Sequence, residues 1–153
     1  MPFRRPFSAL TLCSALALFA VAAQAEPVTY GNGIAKLIED RCFECHGSDA
    51  PTIDQYHADK ERYKKEKLGP RMDTYENLMV MVNGSAAGAV MRRLDDGANT
   101  KDGQPGNMYK HLGKGDEARA AGLALFKSWI GGWSLKRAAE MTEDERKAIL
   151  APR

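Results

Sequence analysis

Cys42, Cys45 and His46 stand in the pattern Cys-x-x-Cys-His, with Phe43 and Glu44 between the thiols. On a helical turn, two thiols three positions apart can each add to one of the two vinyl groups of a haem, while the imidazole of the next residue reaches the iron. These residue types point to one covalent c-type haem, bound through Cys42 and Cys45 and ligated by His46. The same thiol spacing also serves redox disulfides and zinc sites. A disulfide catalyst wants the pair after a strand at a helix start, and a zinc site wants two more ligands. His57 and His111 lack zinc spacing, and the third cysteine, Cys13, falls in a segment predicted to be removed.

That segment has the layout of an export signal. Arg4 and Arg5 make a basic start, Leu10 to Ala23 is apolar, and Ala23-Gln24-Ala25 is a small-x-small cleavage pattern. Cleavage is expected after Ala25, which leaves Glu26 first and implies a periplasmic protein. The apolar run is too short for a good membrane anchor, and Cys13 follows the bulky Leu12, which disfavours lipidation. Arg4-Arg5 is read as an ordinary positive start, because haem of this kind is attached after export. The expected organisation is a signal over 1–25 and a single domain over 26–153, about 128 residues, enough for a real core.

Removing Arg4 and Arg5 from the 22 basic residues leaves 20, against 20 acidic ones. A nucleic-acid binder needs a net or locally strong basic excess, so the balance argues against that class. Locally the charge is uneven: residues 60 to 71 hold Lys60, Arg62, Lys64, Lys65, Lys67 and Arg71 against Glu61 and Glu66. Such a patch is either a docking surface for an acidic partner or simply a solvated helix face.

The elements around the motif read as helices joined by large loops. Ile34, Leu37, Ile38 and Arg41 run at helical spacing into Cys42, so the motif should close an N-terminal helix. Residues 54–67 suit one short exposed helix with a Glu61/Lys65 pair, ended by Leu68-Gly69-Pro70. Asp73 to Glu76 has a capping-box pattern before Tyr75, Leu78, Met79 and Val82, and Asn83-Gly84 should stop that helix. A weaker helix is expected over Ser85 to Leu94, then a long loop over 95–107. Asp116 is the expected N-cap of a helix striped by Leu123, Phe126 and Ile130 and ended by Gly131-Gly132. Thr142 to Glu145 is a further capping box before a last helix near 143–150. No segment alternates with a period of two, and the fold class is all-α.

This order of elements resembles a class I c-type cytochrome over roughly residues 31–131, with 132–153 as an extension beyond the usual core. The resemblance implies a helical domain wrapped around one covalent haem. It also implies a crossing of the segment Gly33 to Asp40 with Leu123 to Ile130 beside the haem edge. The iron would lie between His46 and a distal methionine from the loop before the C-terminal helix, which singles out Met108 in Gly106-Asn107-Met108-Tyr109. Met91 is the runner-up. Met79 and Met81 sit where core packing is the better reading, and Met72 follows the motif too soon. His111 competes for the same position and would give a lower potential. In the resemblance the proline carbonyl of a Gly-Pro loop fixes the motif histidine, which points to Pro70. Tyr109, and less strongly Trp129, are candidates for the haem pocket.

Iron with two protein ligands has no place for substrate, so its chemistry is one-electron exchange. The expected function is a soluble exported electron carrier, not an enzyme, meeting redox proteins by transient docking. Two rivals remain. One is an electron-entry subunit of a larger oxidoreductase, using Trp133, Leu135 and Met141 for contact. The other is an open-site haem enzyme or sensor with His111 or Arg92 near the iron.

Overall fold

The computed structural model describes residues 26–153; the expected export signal, 1–25, lies outside the described residues. Seven α-helices occur in the described chain: α1 (Ala35–His46), α2 (Ile53–Ala58), α3 (Lys60–Lys65), α4 (Tyr75–Val82), α5 (Ala89–Leu94), α6 (Asp116–Ile130) and α7 (Glu143–Lys147). A π turn, Tyr30–Ile34, leads into α1, and short 3₁₀ turns occur at Tyr109–His111 and Ala138–Glu140. The one sheet-like contact among the described residues is an isolated bridge between Gly131 and Ile149. The all-α expectation holds.

Local chemistry explains most boundaries. Thr29 opens the first helical run with a reciprocal box: its Oγ1 accepts the Asn32 N–H at 3.1 Å while Asn32 Oδ1 accepts the Thr29 N–H at 2.7 Å. The same device starts α2 at Thr52 with Gln55, and α7 at Thr142 with Glu145. The cap of α4 is Thr74 rather than Asp73. Asp73 is engaged by the Arg71 guanidinium at 2.8 and 2.5 Å and by the Asn77 amide at 3.0 Å, so it is not free to cap. Helix α6 begins at Asp116 after Gly115, without a side-chain cap; Asp116 pairs with Arg119.

The expected single helix over 54–67 is two, broken at Asp59, whose side chain caps α3 by accepting the Arg62 N–H at 3.2 Å. Splitting the helix changes its register of pairs: Lys64 meets Glu61 and Arg62 meets Glu66, in place of the predicted Glu61/Lys65. Helix α5 is shorter than the 85–94 reading, because Gly88 in the left-handed region (φ +75°) separates it from the turn after α4. The last helix stops at Lys147.

The core gathers Ile34 and Ile38 from the first helical run, Leu78, Met81 and Val82 from α4, and Val90, Met91 and Leu94 from α5. Leu123, Phe126, Trp129 and Ile130 from α6 complete it, with Met141, Ile149 and Ala151 from the C-terminal segment. Gly33 faces α6: a Cβ there would stand in ordinary contact with Leu125 at 3.5 Å. The N-terminal run and α6 therefore share one core, as the resemblance implied.

Candidate haem site

Helix α1 continues through the whole motif to His46. Residues at i, i+3 and i+4 lie on one helical face, so Cys42, Cys45 and His46 present two thiols and an imidazole to the same side. Both cysteines are free and half-buried. Burial, with a smaller contribution from Cys45, pushes the Cys42 thiol up to about 11, which keeps it a neutral thiol at ordinary pH. The zinc alternative lacks donors: no group of three or more His, Cys, Asp or Glu side chains gathers into a metal-holding cluster among the described residues.

The loop after α3 fixes the imidazole. His46 Nδ1 donates to the Pro70 carbonyl at 2.6 Å, which leaves Nε2 as the ring nitrogen with a lone pair for a metal. Two backbone bonds clamp the same loop to the end of α1: Gly69 N–H to the Cys45 carbonyl at 2.8 Å and Met72 N–H to the His46 carbonyl at 2.7 Å. Gly69 lies flat against the ring, and a Cβ there would stand 2.1 Å from His46 Cε1. Burial lowers the His46 pKa, the Pro70 bond opposes this, and the charge of His111 lowers it further. A neutral imidazole is the form that ligates iron.

The 3₁₀ turn Tyr109–His111 follows Met108 directly. Met108 is half-buried at the entry to this turn, its N–H donating to the Arg93 carbonyl at 3.0 Å. Tyr109 is half-buried against the core, and His111 is exposed. Met72 and Met79 are likewise half-buried at the core margin, whereas Met81 and Met91 lie inside it, Met91 with no exposure.

Three aromatic or cationic candidates are engaged elsewhere. Trp129 is wholly buried between Tyr30 and Phe126, and its indole N–H donates to the Pro152 carbonyl at 2.7 Å. The Trp133 indole donates to Asp95 at 2.9 Å. Arg92, considered for an open distal site, donates instead to the carbonyls of Leu135 and Lys136 at 3.3 and 2.6 Å. The Asp95–Trp133 bond spans 38 positions, so no local pattern marks it.

The donor set fits a c-type haem. Two thiols and an imidazole share a face, the ring is orientated by a carbonyl, and a glycine leaves room beside it. A sequence profile described as PccH cytochrome c matches residues 29–149. The solved structure of monoheme cytochrome PccH from Geobacter sulfurreducens is similar to this chain at 43% identity, covering 84% of this chain and 100% of that one, with a TM-score of 0.78. No match was found among curated protein sequences. With its Cys42/Cys45 pair consistent with one covalent haem, the chain belongs to the PccH family of monohaem c-type cytochromes.

Proposed function

We propose that this cytochrome is an exported single-electron carrier whose iron is held by His46 on one side and Met108 on the other. The observation that carries the reading is the 2.6 Å bond from His46 Nδ1 to the Pro70 carbonyl, which fixes the ring with Nε2 directed away from its anchor. When bound, the haem supplies the one-electron couple. His46 acts as a neutral donor, and its bond to Pro70 strengthens that donation. Met108 is supported as the distal ligand by its half-buried place at the head of the 3₁₀ turn, against Met91, which is spent on core packing. Tyr109 is the adjoining pocket wall.

The proposed mature chain is one domain over 26–153, released into the periplasm after cleavage at Ala25. No described helix is long and apolar enough to cross a membrane. Redox proteins are its proposed partners, met by brief docking.

The absorbance spectrum of the oxidised protein tests the ligation. A weak sulfur-to-iron charge-transfer band is expected in the wild type and should vanish in Met108→Ala. Its loss in Met91→Ala with retention in Met108→Ala would transfer the role to Met91. One second reading is kept by position: His111 lies three residues after Met108, in the turn that follows it. Under His46/His111 ligation the wild type shows no such band, and His111→Ala alters the spectrum.

A further inference from the structure

Among the described residues Asp95 is the one charged side chain that is fully buried, at 0% exposure. A carboxylate leaves water only where donors replace it, and here there are four. Oδ1 accepts the backbone N–H groups of Gly97 at 2.9 Å and Asn99 at 3.2 Å. Oδ2 accepts the Asn99 amide at 2.8 Å and the Trp133 indole N–H at 2.9 Å. The Asp95 carbonyl accepts the Gly106 N–H at 2.8 Å, so both ends of the long loop close on one residue. Burial by itself would raise the Asp95 pKa, but the hydrogen bonds led by Asn99 and Trp133 outweigh it and hold the carboxyl below its ordinary value.

This loop delivers Met108. It folds across itself at Gly97 (φ +97°), where a Cβ would stand 2.4 Å from the Gly103 carbonyl oxygen. It then presses onto the end of α5 at Gly106, where a Cβ would stand 2.4 Å from the carbonyl oxygens of Arg92 and Arg93. Two residues later comes Met108. The anchor, by contrast, comes from the far end of the chain: Trp133 follows α6, and the Arg92 bonds to Leu135 and Lys136 hold that stretch against α5.

We infer that Asp95 is a positioning residue for the distal ligand: through Trp133 it ties the C-terminal segment to the 95–107 loop, and so sets how firmly Met108 is held over the iron. This rests on Met108 being the ligand, as proposed above. It gives the segment after α6 the task of a brace.

The test is displacement of the distal ligand by exogenous imidazole in the oxidised holoprotein, followed by loss of the charge-transfer band. Samples are the wild type, Asp95→Asn, Trp133→Phe, the double variant, Asn99→Ala and Met108→Ala. Asp95→Asn and Trp133→Phe are expected to keep haem and band without imidazole, yet to bind imidazole about tenfold more tightly, the scale of one charge-assisted hydrogen bond. The double variant should go no further than the stronger single one. Asn99→Ala should shift affinity the same way by less, and it carries the test if Asp95→Asn does not fold. Unchanged imidazole affinity alongside a lower melting temperature would overturn the inference, leaving Asp95 a purely structural group. Additive shifts in the double variant would overturn the link to Trp133. A band missing from the wild type, or kept in Met108→Ala, overturns the ligand assignment and the inference with it, and these two samples alone distinguish that failure from the others.

Discussion

Helices α2 and α3 and the segment 132–153 are both rich in charge, but they are held in opposite ways. Neither α2 nor α3 buries a residue. Their ion pairs, Lys64–Glu61 and Arg62–Glu66, are internal and exposed, where such pairs contribute little. The excursion closes at its base, the Arg71 N–H donating to the Pro51 carbonyl at 2.8 Å. The C-terminal segment places Met141, Ile149 and Ala151 in the core. Its backbone carbonyls also accept from Tyr75 at 2.9 Å, from Trp129 at 2.7 Å and from Arg92. Similar charge content therefore says little about structural weight; long-range polar contacts to buried groups decide it.

The largest effect should come from ending the chain after Gly132. Losing burial of Met141 and Ile149 alone costs about 4 kcal/mol, a large part of ordinary domain stability. Thermal melts and holoprotein yield should both collapse; survival of either would break the contrast. Gly69→Ala comes next, since its Cβ would invade the His46 ring, and overpacking of this kind costs about 1–3 kcal/mol. Its readout is the melting temperature of the holoprotein and the fraction of chains carrying haem. Tyr75→Phe removes only the bond to the Ala151 carbonyl and should cost about 1 kcal/mol in urea unfolding. Replacing residues 53–67 by a short Gly-Ser connection should change the melting temperature least, because Pro51 and Arg71 already meet. If that excision unfolds the protein, the view of α2 and α3 as an independent surface addition is wrong.

Acid sharpens the same comparison. The Asp95 carboxyl is held below the ordinary aspartate value of 3.8, so the stability it confers is complete above that pH. It is lost as the pH falls through the lower folded value. Asp95→Asn should flatten the fall in stability below pH 3.8 in acid titrations of unfolding. An unaltered slope would mean that other carboxylates, such as Asp73, held low chiefly by its bond to Arg71, govern acid unfolding.

Local chemistry is legible in the chain itself. The thiol and imidazole spacing, the Thr142 box, the long α6 stripe and the breaks at Asn83 and Gly131 all depend on neighbours within a turn or two. Even so, Thr74 displaced Asp73 as a cap because Arg71 claims the carboxylate, and Asp59 split the charged helix by capping its second half. Both outcomes turn on competition between nearby groups of similar strength, which a pattern does not rank. Arg92, Trp129 and Trp133 bind carbonyls or a carboxylate from distant segments, which no local pattern marks.

The sequence by itself placed two thiols and an imidazole on one helical turn in the pattern of a covalent haem, because thioether attachment requires residues adjacent on such a turn. The resemblance pointed to Pro70 as the brace of His46, and only the tertiary structure added the others. The Pro70 carbonyl on His46, the Gly69 gap beside the ring and the Asp95–Trp133 bond under the Met108 loop join positions 23 to 38 residues apart. Such contacts exist only once packing has brought those segments together.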